Sequence, residues 1–503
     1  MPIHPLPDRP DLGRMKATAK DLRDLVRAGV DGAVATVREH HPRGAEVTAD
    51  PAAFRLADAQ LTLARHHGFA SWPRLKAHVE TVRELTRSPH EQPVGGPLAT
   101  DEDRADELLR LACLTYGADD AARPRAALAL LAEHPHLSGL TLHTAAATGA
   151  VEAARRHLEA GADVDADGGP FAWAPLLYVA YSRIDDPDEG RDTVGVARLL
   201  LDHGADPDAG FLWDGLPSPF TALTGAFGGG EGHQPAHARW HELASLLLDA
   251  GADPSDSQTV YDRGLGDVVR DDTGWLELLL DHGFGRGDGG PWVRRLGHEA
   301  QSPAEVAAEA LAHAAEAGLL ERARLLLAHG VDPDRPGCHP AFAGRTPYQG
   351  AVEGGNHEIA RLLAEAGADT SGVDATMALV GALLAADGRA VAAAGPGAVA
   401  EVRATHPDLV ARAAERGRPA AIRLLAEEGW DVSHLGRLTA LHEAAYRGDR
   451  DVVDLLLALG ADPTVRDPEH DGTPAGWAHH GGHPDLATDL AAAESTGPDA
   501  EGP

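Results

Sequence analysis

Three histidines, His233, His237 and His241, recur every four residues, the spacing that lines imidazoles along one helical face where they could ligate zinc. Pro235 starts the helix, however, which removes His233 and leaves His237 and His241 with Glu242 as an incomplete ligand set. H-E-x-x-H is absent. Asp185, Asp186, Asp188 and Glu189 crowd one segment, a chemistry suited to a cation or a basic partner. Their order does not match the D-x-[DN]-x-[DN]-G of a calcium loop, so the ordinary reading is a solvated loop. Cys113 and Cys338 cannot form a disulfide framework or a cysteine-only zinc site. The glycine-rich FGGGEG at 227–232 follows a helix and lacks a lysine, and G-x-S-x-G, GxxxxGK[ST] and C-x-x-C are missing. No catalytic residue, metal or cofactor is expected.

Aromatic side chains offer recognition instead. Thirteen of the 22 fall between Phe171 and Trp292. Trp, Tyr and Arg concentrate at interface centres. The aromatic candidates for partner contact are Trp173, Tyr178, Tyr181, Trp213, Phe220, Trp240 and Trp292, with Asp185, Asp186 and Glu189 beside them. The competing expectation is that bulky side chains fill enlarged repeats.

The elements that must position these residues show in an internal period. An aliphatic helix followed by a glycine turn recurs, as ARRHLEAGADVD at 154–165, ARLLLDHGADPD at 197–208, ASLLLDAGADPS at 244–255 and VDLLLALGADPT at 453–464. Leu199 and Leu200 lie three and four residues after Val196, which places an apolar stripe on one face. Gly161, Gly204, Gly251, Gly283, Gly330, Gly367, Gly429 and Gly460 are placed to close each helix in the left-handed conformation. A shorter helix precedes each, in LTLHTAAATGA at 140–150 and LTALHEAAYRGD at 438–449. Thr346-Pro347 and Thr473-Pro474 set a capping hydroxyl before a proline at the first helical position. The 62-residue interval between Gly367 and Gly429 predicts a degenerate repeat with helices at about 374–386 and 396–405.

Helix, tight turn, helix, glycine turn and hairpin-like loop resemble the ankyrin repeat, whose T-P-L-H-x-A is matched by TALHEAA at 439–445 except at Ala440. The resemblance implies an all-α, ankyrin-type α-solenoid of about eleven units over 103–490. It also implies that His143 and His442 serve structurally between loops. Insertions interrupt the period at 183–193, 227–241 and 285–301. The first two are expected side by side on one edge and the third on the opposite, finger-like edge. Residues 1–87 read as an N-terminal helical segment, with patterns at 18–40, 51–67 and 72–87. FRLADAQLTLARHHGFASWPRLKAHVE at 54–80 resembles a leader found ahead of such arrays in actinobacterial proteins. Residues 88–102 read as a linker and 491–503 as a disordered tail.

The resemblance implies a protein partner held in a groove between loop fingers and helices, and no cofactor. The net charge of -34 argues against nucleic acid and against casual self-association, so a monomer is expected. No run approaches a membrane span, and the first residues lack a basic-then-apolar signal, which points to the cytoplasm. The reading is a non-catalytic interaction module or scaffold. The alternative is an enzyme or small-molecule receptor with an aromatic-lined pocket in the irregular middle repeats, a pocket walled by Trp173, Trp213, Trp240 and Trp292.

Overall fold

The structure is a computed structural model that describes residues 6–7, 9–96, 98–117, 119–230, 232–265, 271–342 and 344–495. The chain divides into two compact units, Met1–Gly266 with Trp275–Val306, and Asp267–Gly274 with Ala307–Pro503. Among the described residues no helix is long and apolar enough to cross a membrane.

The first unit opens with the helices Leu12–Arg27, Asp31–His40, Gly44–Val47, Leu56–His66 and Trp72–Leu85. Asp11 caps the first through the Arg14 N–H at 2.6 Å. Gly29, at φ +72°, ends it, so the pattern expected over 18–40 is two helices. Leu75, Val79 and Val82 form the buried stripe of the last, and Leu75 and Val79 pack with Met15, Ala19, Leu63 and Phe69. The described residues of 88–100 contain one 3-10 turn, Pro89–Glu91, before Thr100 caps the helix Asp101–Ala112. The N-terminal helices thus share the first unit with the repeats.

Paired helices then follow one another. Leu142–Thr148 pairs with Val151–Glu159, Pro175–Tyr181 with Thr193–Asp202, and Ala222–Phe227 with Trp240–Asp249. In the second unit Pro347–Glu353 pairs with His357–Glu365, Leu409–Glu415 with Pro419–Glu427, Ala440–Tyr446 with Arg450–Ala458, and Pro474–His480 with Pro484–Ser495. First helices stack on first helices within each unit. Small residues make this possible: Ala145, Ala146, Ala444 and Ala445 are fully buried. The long interval holds Ala375–Leu384 and Pro396–Thr405 near the expected places, with an additional helix, Gly388–Ala394, between them. The expectation of a disordered tail from 491 is corrected at its start. Leu486 and Leu490 are buried and carry the last helix to Ser495, while residues 496–503 lie outside the described residues.

The eight repeat-closing glycines all take φ between +83° and +102°. At seven of them a Cβ would meet nothing within 4 Å, and at Gly429 it would meet only the end of the Arg403 side chain, so glycine is needed for conformation more than for space. The aspartates that follow build the fingers. Asp163, Asp206, Asp253, Asp332, Asp369, Asp431 and Asp462 each accept the backbone N–H two residues on. The residue at that second position then accepts the N–H of the next finger's aspartate: Asp165 from Asp206 at 3.1 Å, Asp208 from Asp253 at 2.8 Å, Asp334 from Asp369 at 2.7 Å, and Ser433 from Asp462 at 2.9 Å. An Asp-x-Asp or Asp-x-Ser pair therefore turns one finger and staples it to its neighbour.

Helix dominates, but a small sheet departs from the all-α expectation. Strands β1 (Thr86–Arg87), β2 (Gly210–Trp213) and β3 (Pro219–Thr221) lie in that order, β1 parallel and β3 antiparallel to β2. Asp214 and Gly215, at φ +51° and +84°, turn the chain after β2. One finger is thereby lengthened into a hairpin that the N-terminal segment extends by a strand.

Candidate functional site

The irregular middle repeats do not present the aromatic surface expected of them. Trp173, Tyr178, Tyr181, Phe220 and Trp292 are all buried, at 5% exposure or less. Trp173 packs on Phe211 at 5.1 Å and Tyr181 at 4.9 Å, and Phe211 on Phe220 at 5.8 Å. Three polar ends are satisfied internally, as Tyr178 donates to Gly168 O, Tyr181 to Thr221 O and Trp292 Nε1 to Asp208 O, while Trp173 Nε1 is buried without a hydrogen-bond partner. The expectation of partner contact is corrected for these five, because the helices Pro175–Tyr181 and Ala222–Phe227 need bulk between them and the hairpin. Trp292 and Leu296 also pack with Val82 and Leu212, so the third insertion receives the N-terminal helix Trp72–Leu85. Trp213 is half-buried, stacked on His90 at 4.2 Å, with its Nε1–H on Thr115 O. Trp240 stands apart against Phe227 at 5.4 Å, so these rings do not converge on one pocket.

The first two insertions do meet, in a knot of charge. Asp185, its side chain 1% exposed, accepts from Arg239 Nε at 2.8 Å and Nη2 at 3.0 Å. It also takes the Thr193 N–H and hydroxyl at 2.9 and 2.6 Å. Arg239 continues to Asp192 at 2.6 Å. Burial works against the Asp185 charge, but Arg239 and Thr193 prevail and hold its carboxyl below the usual range. His237 is buried and shares a hydrogen bond with the Thr193 hydroxyl. Burial, then Arg183 and Arg239, push its imidazole down to about 4. A neutral, enclosed histidine bonded in this way is part of the knot and no half of a zinc site. Asp186 accepts the Glu189 N–H and pairs with Arg191, and Glu189 alone of the three acids is exposed. Asp185 and Asp186 are corrected from partner contacts to loop closures.

A different face collects accessible chemistry, in the second unit. Each first helix there ends at a left-handed residue: Gly318, Gly355, Ala386, Gly417, Gly448 and Gly482. Five residues before these stand His313, Gly350, Gly381, Arg412, Glu443 and Trp477; two before stand Glu316, Glu353, Leu384, Glu415, Tyr446 and His480. Stacking of the first helices sets these positions in two columns. Arg345 bridges Glu316 and Glu353, each at 3.0 Å. Arg412 reaches Glu353 at 3.9 Å, past a helix that contributes only Gly381 and Leu384. Arg416 reaches Glu316 at 3.6 Å.

At the C-terminal end the columns turn aromatic. Tyr446 lies edge-on to Trp477 at 5.7 Å and stacks with His480 at 6.0 Å. Tyr446 and Trp477 are half-buried and His480 is exposed. Trp477 Nε1 donates to Asp467 at 2.9 Å. Burial opposes the Asp467 charge, yet that indole and the N–H groups of His470, Gly472 and Glu469 hold its carboxyl far below the usual range. Glu443 beside them is different. Burial first, then Glu415, push its carboxyl up to about 7 against Arg437 and Arg447, and the exposed Arg437 pairs with it at 3.6 Å. His442 and His143 are structural, as the resemblance implied: they bridge to Gly472 O and Ala166 O in the following fingers. Sequence reasoning missed this face because Tyr446 and Trp477 sit inside well-formed repeats, although the left-handed glycines supply the register that finds them.

A family model described as ankyrin repeats (three copies) matches residues 397–467, which include Arg412, Glu415, Glu443 and Tyr446. No curated protein matches the chain at a significant level. The left-handed glycine and stapled aspartate of the matched copies recur as far back as Gly161, which supports an ankyrin-repeat protein.

Proposed function

We propose that the protein is a non-catalytic interaction module, and that its partner is a protein held on the first-helix face of the second unit. Ankyrin repeats are generally protein-interaction modules, which supports the class of function. The observation that supports the place is Glu443: a carboxylate near Tyr446 and Trp477, raised by burial and paired at 3.6 Å with the exposed Arg437. A lysine or arginine of the partner, inserted there, would gain an ion pair and an aromatic face together. The net charge of -34 draws basic partners by the same sign. A monomer in a reducing, cytoplasmic setting suits two cysteines that form no disulfide, Cys113 buried and Cys338 exposed. No observation favours an enzyme or receptor pocket in the middle repeats, whose large aromatics are mostly packed on one another.

Photocrosslinking tests this reading. A photoreactive side chain introduced at position 446 or 480 of the full chain should trap one protein in stoichiometric yield, and Glu443→Gln should reduce that yield. Crosslinks only from positions near Trp213 and Trp240, or a small molecule copurifying with no protein, would reject it.

A further inference from the structure

A groove of about 650 Å³ runs along a different edge of the second unit, where first helices turn into second helices. Gly318, Gly355, Leu384 and Ala386 form its turns, and the helices His357–Glu365 and Pro419–Glu427 begin in its walls. Its lining is mostly neutral and apolar, with Arg418 within it and Glu358 exposed at its rim.

Arg418 is the unusual group. Its Nη1 donates to Gly354 O at 2.6 Å and Leu384 O at 3.2 Å, and its Nη2 to Asn356 Oδ1. All three acceptors are neutral. Among the described residues no carboxylate lies within ion-pair distance, in a chain where acids outnumber basic residues 78 to 44. Burial, then Arg416 and Arg412, push its guanidinium down to about 10, so the nearest charges repel it.

Asn356 compounds the deficit. It occupies the cap position of His357–Glu365, yet its amide donates to Ala315 O and Glu316 O and its oxygen faces Arg418. The N–H groups of that helix's first turn receive no side-chain cap, and neither do those of Pro419–Glu427. Some other helices of the unit have carboxylates at their starts, although Pro396–Thr405 has none. Asp271 takes Glu321 N–H at 2.5 Å and Arg322 N–H at 3.1 Å on Leu320–Ala328, Asp387 caps Gly388–Ala394, and Asp449 caps Arg450–Ala458.

We infer that this groove docks an acidic segment of a partner protein, one Asp or Glu carboxylate of which pairs with Arg418. The inference rests on the protein-binding reading above but not on its contacts: the groove shares Leu384 with one column, while Glu443, Tyr446 and Trp477 do not line it. Charge complementarity selects the occupant. A basic segment would meet Arg418 unopposed, and a wholly apolar one would leave it buried against neutral groups only.

The test uses the full-length chain and a capped ten-residue peptide of alternating Glu and Gly, with the Gln-for-Glu peptide as its control, titrated by calorimetry at low salt. The Glu peptide should bind saturably and weaken as salt rises. Arg418→Gln should cost about tenfold or more in affinity, the loss of one charge-assisted pair. Ala420→Glu, at an exposed position that tolerates the side chain, should abolish binding by placing the protein's own carboxylate in the groove. Tyr446→Ala should leave peptide binding unchanged, which separates this result from the first-helix face. Equal binding of the Gln peptide, or Glu-peptide binding untouched by both Arg418→Gln and Ala420→Glu, overturns the inference. Displacement of the peptide by inorganic phosphate at equal affinity overturns the commitment to a peptide and leaves a simple anion site.

Discussion

Asp185 separates a structural loop from a binding loop, because the two roles predict opposite effects of removing it. In Asp185→Ala, Arg239 loses two charge-assisted hydrogen bonds at 2.8 and 3.0 Å, and the Thr193 N–H loses its acceptor. Breaking a buried pair from one side costs about 3–5 kcal/mol. Arg239 keeps Asp192 at 2.6 Å and is 24% exposed, which places the expected loss at the lower end, about 3 kcal/mol. Arrays of repeats need not unfold in one step, so the loss is best read locally, as hydrogen exchange of amides 183–193 and 240–249 beside a urea titration. The double variant Asp185→Ala/Arg239→Ala should recover part of the loss, with a coupling of more than about 1 kcal/mol. The contribution is present above the carboxylate's unfolded pKa and disappears as pH falls through its lowered folded value, so acid below pH ~4 should mimic the substitution. A change under about 0.5 kcal/mol, or strict additivity with Arg239→Ala, would refute the knot.

His237 should make the same region pH-sensitive in a higher window. Its folded pKa of about 4 lies below the unfolded 6.5, so the unfolded state takes up a proton first and stability falls from pH ~7 toward 4, by about 2 kcal/mol at pH 5. Urea midpoints at pH 7.5 and 5 should differ less in His237→Asn than in the parent. Glu443 predicts pH-dependent recognition: a cation needs the carboxylate, whose free pKa is about 7, so affinity for a basic partner should climb from pH 6 to 8 and level off above it. Glu443→Gln should flatten that profile. Gly204→Ala should destabilise by about 1 kcal/mol, seen as a lower melting temperature, because alanine must adopt φ +88° although nothing obstructs its methyl.

How far the fold could be read depended on whether the determining contacts were local. The helix pairs, their left-handed glycines and the caps at Thr346 and Thr473 follow from residues a few positions apart, and the structure has them. The hairpin at 210–221 was also locally marked, by Asp214-Gly215 between Phe211 and Phe220, and was overlooked because the repeat period was assumed to govern that finger. The N-terminal strand added beside it was not marked, since Thr86 and Arg87 pair with residues more than a hundred positions away.

The candidate site divides in the same way. That aromatics and acids crowd 171–292 is a fact of sequence. Whether Trp173 meets a partner or Phe211, and whether Asp185 meets solvent or Arg239, depends on which surfaces close on one another. Tyr446 and Trp477 are 31 positions apart and become neighbours only because first helices stack. The sequence by itself determined the repeat, because a helix, a glycine turn and an Asp-x-Asp finger are set by backbone preferences and hydrogen bonds within a dozen residues. Only the tertiary structure decided which side chains remain available to a partner, because burial is a property of packed neighbours that no single segment contains.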